Sequence, residues 1–337
     1  MYFSLKVRRM TRLMTFSQMR HFLQTREFYR VSRSSGAEVI DGKVIANLIK
    51  QEVKLEVDKI IASGKRPPHV TVVMVGSDPT SIIYVNNKRK AANEIGITCD
   101  IIRPPAMVTE DDLLTEIKHL NKMSTVDGII VQLPLPDHIE TRTVCNAVAP
   151  HKDVDGFGVI NIGRLGVNMP SYIPATPAGV LEIIKRSGIE TFGKNAVVVG
   201  RSKHVGLPIA MFLQADGMKG SKKGGNATMT ICHRFTPPDQ LTLFTQQADI
   251  VIAAAGIPRL ITADMIKEGA AVIDVGITPV RNEKTGKTKL VGDVDFKAVS
   301  EKARLITPVP GGVGPCTVAM LLKNTLTAYN REIDFSR

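Results

Sequence analysis

The feature that most constrains this chain is an alternation. Short apolar, β-branched runs are followed, again and again, by longer stretches whose apolar residues return at helical spacing. Residues 44–60 carry Val44, Leu48, Leu55 and Ile60 at that spacing, and 70–75 is a β-branched run stopped at Gly76. The spacing then predicts a helix over 81–95 closed by Gly96, a strand over 99–102 ended by Arg103-Pro104-Pro105, and a helix over 110–120 behind Thr109 as N-cap. A strand over 128–132 is stopped by the prolines of Leu133-Pro134-Leu135-Pro136. A second series follows Pro177: helix 179–186, strand 196–199, helix 206–213 with Pro208 near its first turn, strands 228–231, 250–253, 271–275 and 305–307, and helix 318–329. Such β/α alternation makes mostly parallel sheets sandwiched by helices. The expected fold class is α/β, with two domains around a cleft. The first spans 37–178, and the helix within 312–337 packs back on it. The second, 179–311, is a Rossmann-like doubly wound parallel sheet. The hinge is expected near 173–179.

A chain of 337 residues suffices for two such cores. No run approaches the roughly 18 apolar residues of a membrane-spanning helix, so no membrane insertion is expected. The net charge of +12 would suggest a nucleic-acid partner were it spread over the fold. It is not. Residues 1–36 hold eight Lys/Arg against one acid, Glu27, and the other 301 residues carry 36 basic and 31 acidic side chains, net +5. That is too mild for a nucleic-acid footprint. The cluster Lys219-Gly220-Ser221-Lys222-Lys223, in the Gly- and Lys-rich segment 216–226, is short and reads as solvated surface loop. The leader is Arg-rich, Ser-bearing and nearly acid-free, the composition of a mitochondrial transit peptide, with a disordered basic tail of a cytosolic enzyme as the alternative; a matrix location is expected. Cys99, Cys145, Cys232 and Cys316 are scattered without C-x-x-C pairing, which fits a reducing compartment without disulfides or structural zinc.

Ligands of open α/β sheets bind beyond the carboxyl ends of the strands, and three such ends are unusual here. Gln132 closes an apolar strand. Gly200-Arg201-Ser202-Lys203-His204-Val205-Gly206 joins a strand to a helix where a dinucleotide pyrophosphate would sit, although it is not G-x-G-x-x-G and also fits a ligand-free βα turn. Pro308-Val309-Pro310-Gly311-Gly312-Val313-Gly314-Pro315 follows the last strand. Tyr84 and Lys88 share one helical face. Asp153-Val154-Asp155-Gly156 equally fits an Asx turn.

Together these motifs are more specific than any one. Tyr84-Val85-Asn86-Asn87-Lys88, Val131-Gln132-Leu133-Pro134-Leu135-Pro136, Lys152-Asp153-Val154-Asp155-Gly156, Pro174-Ala175-Thr176-Pro177, Gly200-Arg201-Ser202 through Pro208, and Pro310-Gly311-Gly312-Val313-Gly314-Pro315 stand in one order. That order resembles the methylenetetrahydrofolate dehydrogenase/cyclohydrolase family from about Glu38 to about Tyr329. The leader, the lack of a large synthetase domain, and His233-Arg234 resemble its mitochondrial bifunctional, NAD-dependent branch.

The resemblance implies oxidation of 5,10-methylenetetrahydrofolate to the methenyl form and hydrolysis of that form to 10-formyltetrahydrofolate. It assigns proton handling to Lys88, with Tyr84 and Gln132 beside it and Asp155 on the pterin. The charged form of a half-buried lysine beside a cationic substrate is disfavoured, which suits a base. Substrate contacts are implied at Tyr84, Val85, Asn86, Asn87, Lys88, Val131, Gln132, Leu133, Asp155, Pro310, Gly311, Gly312, Val313, Gly314, Pro315 and Thr317. Dinucleotide contacts are implied at Thr176, Gly200, Arg201, Ser202, Gly206, Pro208, His233, Arg234, Ala255, Gly256, Gly276 and Ile277. Cys316 stands where the family usually has Met, either a packing change or a reactive thiol.

Cofactor choice pulls two ways. An NAD site ordinarily places an acid after the second strand, but Cys232-His233-Arg234 follows here. Arg201 and Arg234 suit the 2′-phosphate of NADP. In the branch that the chain resembles, inorganic phosphate with Mg²⁺ takes that place, and Asn226 replaces an Asp near the metal, which weakens an oxygen shell. NAD is therefore expected, with NADP as the alternative, phosphate at Arg201 and Arg234, and a weakened Mg²⁺ site at Asn226. A homodimer is implied by the family alone. The rival readings are a monofunctional NADP-dependent dehydrogenase and a fold kept as an RNA- or protein-binding module.

Overall fold

Side chains define where the first helices start. Asp41 accepts from the amides of Lys43 and Val44 (2.9 and 3.2 Å), starting the helix Gly42–Ala62. Asp78 accepts from Ser81 N (2.7 Å) with Pro79 behind it, starting Pro79–Glu94. The Thr109 hydroxyl accepts from Asp112 N (3.1 Å), starting Glu110–Lys122 with three acids in its first turn. Each cap satisfies an amide that the helix leaves unpaired, and the acids suit its positive end.

The computed structural model describes residues 30–31, 36–217, 224–281, 286 and 288–336. Nearly all of the expected leader, and the Lys219–Lys223 cluster, lie outside the described residues. In chain order the elements are β1 (Arg30–Val31), β2 (Glu38–Ile40), α1 (Gly42–Ala62), β3 (His69–Val73), α2 (Pro79–Glu94), β4 (Thr98–Ile102), α3 (Glu110–Lys122) and β5 (Gly128–Val131). Then come α4 (Thr141–Ala147), α5 (Val159–Gly166), α6 (Ala175–Arg186), β6 (Asn195–Val199), α7 (Gly206–Gln214), β7 (Thr228–Cys232), α8 (Pro238–Gln247) and β8 (Ile250–Ala253). The remainder are β9 (Ala271–Asp274), β10 (Thr278–Arg281), β11 (Thr288–Val291), α9 (Phe296–Val299), β12 (Leu305–Ile306) and α10 (Val313–Tyr329).

The strands form two parallel sheets and a ribbon. One sheet is β4-β3-β5, the other β1-β2-β12-β9-β8-β6-β7, with only β1 antiparallel, and β10-β11 is an antiparallel ribbon. Alternate residues face opposite helical layers: Ala196 and Val198 join the core under α6 and α7, Val197 and Val199 the one under α8. In the smaller sheet Val70 and Val72 face α1, α2 and α10, while Val73, Ile129 and Val131 face Leu113, Ile117 and Leu120 of α3. Burial on both faces is why these strands read as continuous apolar runs.

Three boundaries differ from the expectation. Strand β2, read with the first domain, hydrogen-bonds in parallel to β12 of the larger sheet, Leu305 opposite Glu38. Helix α6 starts at Ala175, so much of the expected hinge at 173–179 is its first turn. Helix α10 starts at Val313, which puts Val313, Gly314 and Pro315 inside it. The reason is common to both helices. A proline in a first turn lacks only an amide that would have no helical partner there.

α10 packs against both α1 and α6. Arg186 of α6 bridges to Glu52 of α1 (2.8 Å) and to Glu182 (2.6 Å) beneath it. Leu322 of α10 is fully buried in that seam. Leu322→Ala should cost about 2–5 kcal/mol, read as a lower urea midpoint with unchanged m. A loss under about 1 kcal/mol would mean that α10 is not a core element.

Candidate active site

Gln132 lies one residue beyond β5 and still donates its amide to Val73 O (2.9 Å), so the sheet fixes its backbone. Its side-chain Nε2 donates to Leu133 O (2.7 Å). That bond turns Oε1 the other way, where it accepts from Lys88 Nζ at 2.9 Å. Two elements 44 residues apart thus hold one ammonium group. Tyr84, one turn before Lys88, is 42 % exposed, open toward the same space.

The Lys152–Gly156 motif divides into scaffold and site. Lys152 Nζ donates to Leu120 O and Met123 O (3.0 and 2.6 Å), closing the carboxyl end of α3. Asp153 accepts from Gly158 N (2.8 Å), Phe157 N (3.2 Å) and Asn161 Nδ2 (2.9 Å), so it braces the turn through amides four and five residues on, not through the bond two residues on of an Asx turn. Gly156 has φ +67°, and a Cβ there would meet Tyr172 O at 2.5 Å. Asn324 of α10 donates to Val154 O and Ile173 O (2.9 and 3.1 Å), pinning the turn from behind. Asp155 alone remains. It is 8 % exposed, and burial pushes its carboxyl up to about 6 while the Lys88 charge pulls it down. A buried carboxylate beside a lysine, left out of the scaffold, is a candidate for contact with a ligand.

The 310–312 segment rests on the start of α1. Gly311 has φ +110°, and a Cβ on Gly42 would meet Gly312 O at 1.8 Å, so both must be glycine. Cys316 Sγ donates to Gly42 O (3.3 Å), fully buried, its thiol pushed up to about 12 by burial. The reactive-thiol option falls, and the packing reading stands. Thr317 Oγ1 donates to Thr176 Oγ1 (3.2 Å), joining a residue expected at the substrate to one expected at the dinucleotide. Val85, Val131 and Val313 have side chains in the core, so none of the three can offer its side chain to a ligand. Asn86 and Asn87 are exposed on α2.

On the second sheet Gly200 has φ +125° and a Cβ on it would meet Ala254 O at 2.1 Å. A Cβ on Gly206 would meet Gly200 O at 1.9 Å. The turn is therefore as tight as two glycines allow, and no side chain caps α7 behind it. That is a fit for an anion at a helix amino end. His204 stacks on Phe157 (centroids 4.2 Å apart), bringing this loop against the Asp153–Gly158 turn. Beyond β7, Arg234 and Arg201 both lie over the exposed ring of Phe235, at 5.0 and 5.8 Å. Neither arginine has a carboxylate partner among the described residues. Sequence reasoning missed Phe235, whose only signal was an aromatic next to Arg234.

Asn226 does not join them. Its amide donates to Gly217 O and accepts from Gly217 N, both at 3.1 Å, and it precedes β7 whereas Arg234 follows it. The residue expected at a metal spends both polar atoms closing a loop. No group of three or more His, Cys, Asp or Glu able to hold a metal occurs among the described residues. A hollow of about 530 Å³ bordered by Arg66, His69, Thr98 and His119 lies toward the amino ends of β3 and β4, away from Lys88.

Comparison with known proteins fits this geometry. The model of the tetrahydrofolate dehydrogenase/cyclohydrolase catalytic domain matches residues 40–155, and that of its NAD(P)-binding domain residues 174–333. The chain is 58 % identical over 308 residues to a bifunctional methylenetetrahydrofolate dehydrogenase/cyclohydrolase, mitochondrial, of Gallus gallus, covering 91 % of each. It is similar to a solved 5,10-methylenetetrahydrofolate dehydrogenase of the silkworm, Bombyx mori: TM-score 0.82, 51 % identity, 88 % of this chain and 99 % of that one. A Trypanosoma brucei methylenetetrahydrofolate dehydrogenase-cyclohydrolase complexed with NADP cofactor and inhibitor gives TM-score 0.82 at 40 % identity, over 88 % and 98 %.

Asp155 should be visible in stability. Its carboxyl is raised in the folded state, so the stability it contributes is whole below about pH 4 and lost as pH rises through about 6. Asp155→Asn should therefore gain on the wild type by about 1.4 kcal/mol between pH 5 and pH 8 in urea unfolding. A gap that does not change with pH would mean that Asp155 does not titrate there.

Proposed function

The chain belongs to the tetrahydrofolate dehydrogenase/cyclohydrolase family, and on that premise we propose that it carries both activities in mitochondrial one-carbon metabolism. It oxidises 5,10-methylenetetrahydrofolate with a nicotinamide dinucleotide, then hydrolyses the methenyl product to 10-formyltetrahydrofolate. The observation that carries this is the Lys88–Gln132 hydrogen bond with the buried Asp155 beside it. Mitochondrial relatives at high identity and the basic leader support the compartment, with the matrix and a cleaved leader as the finer proposal.

Asp155 accepts from ring N–H groups of the pterin and orients it, while Tyr84 borders the same space. The dinucleotide, when bound, supplies the hydride acceptor; Gly200, Ser202 and Gly206 would hold its pyrophosphate, with Thr176, Ala255, Gly256, Gly276 and Ile277 toward its nicotinamide end. Hydride leaves the methylene carbon without an obligatory proton transfer, so this step needs placement only. Hydrolysis needs more. Water adds to the methenyl carbon as Lys88 takes one of its protons; the resulting hydroxyl then loses its second proton to solvent and becomes the formyl carbonyl as the bond from that carbon to N5 breaks, N5 receiving the proton that Lys88 took. Gln132 keeps Nζ aimed throughout. An intact Lys88–Gln132 pair speaks against the monofunctional reading.

NAD is the proposed cofactor, with inorganic phosphate held by Arg201 and Arg234 on the Phe235 ring. Two guanidinium groups without carboxylate partners on one aromatic face make an anion site. The Mg²⁺ that accompanies phosphate in the branch finds no fitting ligand at Asn226, whose amide is spent on Gly217. A homodimer is also proposed, since the β10-β11 ribbon pairs with no other strand among the described residues.

Lys88→Met should lower cyclohydrolase turnover by about 10² to 10⁴ and dehydrogenase turnover far less. Equal losses would reduce Lys88 to a purely positional role. Arg234→Ser should abolish activation by phosphate in assays with NAD. A higher kcat/KM with NADP, with phosphate merely competing, would overturn the choice of NAD.

A further inference from the structure

Two buried carboxylates of the larger sheet serve neither the catalytic pair nor the anion site. Asp274 closes β9, and Asp293 follows β11; they are 3 % and 0 % exposed. Asp274 Oδ1 accepts from Gly276 N and Asp293 N, and its Oδ2 from Val294 N, all at 3.0 Å. Asp293 Oδ2 accepts from Ala255 N (2.6 Å) and Gly256 N (2.9 Å). Its Oδ1 is buried without any hydrogen-bond partner. Two glycines make room: a Cβ on Gly276 would meet Asp293 Oδ1 at 2.2 Å, and one on Gly292 would meet Asp274 Oδ2 at 1.9 Å. The carboxylates therefore interlock with the backbone of three segments. Asp274 fixes the backbone of Asp293, and the side chain of Asp293 fixes the loop after β8.

The sheet order says which part of a ligand that loop meets. Strand β6 is central, with β7 on one side and β8 then β9 on the other. The arginine-bearing turn follows β7, so an anion at the adenosine end of a dinucleotide lies there. The pyrophosphate crosses at the turn after β6, and the nicotinamide end falls over the loops that follow β8 and β9.

We propose that Asp293 is a positioning residue for the dinucleotide, carrying a proton on Oδ1 and holding Ala255 and Gly256 in place, so that ionisation of the Asp274–Asp293 pair loosens the nicotinamide site. This rests on the reading of Ala255, Gly256, Gly276 and Ile277 as cofactor contacts. A buried oxygen with no donor in reach is the natural seat of a proton, because the ionised form there would have nothing to offset desolvation. The groups facing the pair are backbone amides from the loop after β8, the hydroxyl of Thr307 after β12, which accepts from Asp274 N, and the apolar Val309. The charge that acts on Asp274 is that of Asp293, and neither carboxyl forms an ion pair among the described residues. Burial raises both carboxyls, Asp274 to about 7.

Three proteins test this: wild type, Asp293→Asn and Asp293→Ala. The dissociation constant of the reduced dinucleotide is measured by fluorescence from pH 6 to pH 8.5, with cyclohydrolase turnover as the control from the other unit. Asparagine keeps an oxygen for Ala255 N and Gly256 N and cannot ionise. Wild-type affinity should weaken by about tenfold from pH 6 to pH 8.5, and Asp293→Asn should hold the low-pH affinity throughout. Asp293→Ala, leaving two amides unpaired, should bind about tenfold more weakly at every pH, with cyclohydrolase turnover within about twofold of wild type. The inference is overturned if Asp293→Asn keeps the wild-type pH profile, if Asp293→Ala binds like wild type, or if it damages both activities alike. If the wild type binds neither NADH nor NADPH, the dinucleotide reading of the second unit fails as well.

Discussion

Everything polar about this protein's chemistry is governed by one constraint: both sheets are parallel and buried on both faces. A strand such as Val197–Val199 or Ile129–Val131 has no side on which a functional side chain can stand. Polar groups are displaced to the carboxyl ends, where the chain leaves the sheet. Gln132 is the first residue after β5, Gly200 the first after β6, and Asp274 the last of β9. The site is assembled from neighbours at the rim of a sheet, with rigid strands beneath each of them.

The constraint also needs something to hold the two rims in register, and α10 does this. Its residues reach the Asp155 turn through Asn324, the start of α1 through Cys316, and α6 through Thr317. Arg186 adds an ion-pair link between α1 and α6 from within the same seam. A helix that is apolar over most of its surface is used where three layers meet. The sulfur at Cys316 belongs to that structural work and is removed from chemistry by burial.

The alternation of runs and helices was legible because burial on both faces writes it into composition. Boundaries at 109, 78 and 41 were legible in principle because a capping side chain stands at each. The rest was hidden for physical reasons. Strand β2 is three residues long, and its partner lies about 270 positions away, so no local pattern marks it. Helices α6 and α10 carry prolines in their first turns, which read as breakers only when a helix is already under way. Among the proposed site residues, an ordered set of motifs pointed to Lys88, Gln132 and Asp155, and no motif pointed to Asp293 or Phe235. A buried aspartate among glycines and an exposed phenylalanine beside an arginine have meaning only when the third dimension shows what they face. Asn226 misled for the converse reason: its position in the sequence suggested a ligand, and its two hydrogen bonds to Gly217 show a loop clasp.

Three aspartates follow one rule. Asp153 is as buried as Asp155, yet its carboxylate is met by two amides and an asparagine. It is scaffold because its acceptors are filled by the protein. Asp155 lacks such donors, and Asp293 fills one oxygen and leaves the other empty. Each unfilled acceptor costs stability in the resting protein, since desolvation there is not offset. Under the proposed function something else completes them: a ring N–H for Asp155, a proton for Asp293. On that reading the two carboxylates that the fold leaves least satisfied stand where its two proposed ligands meet it.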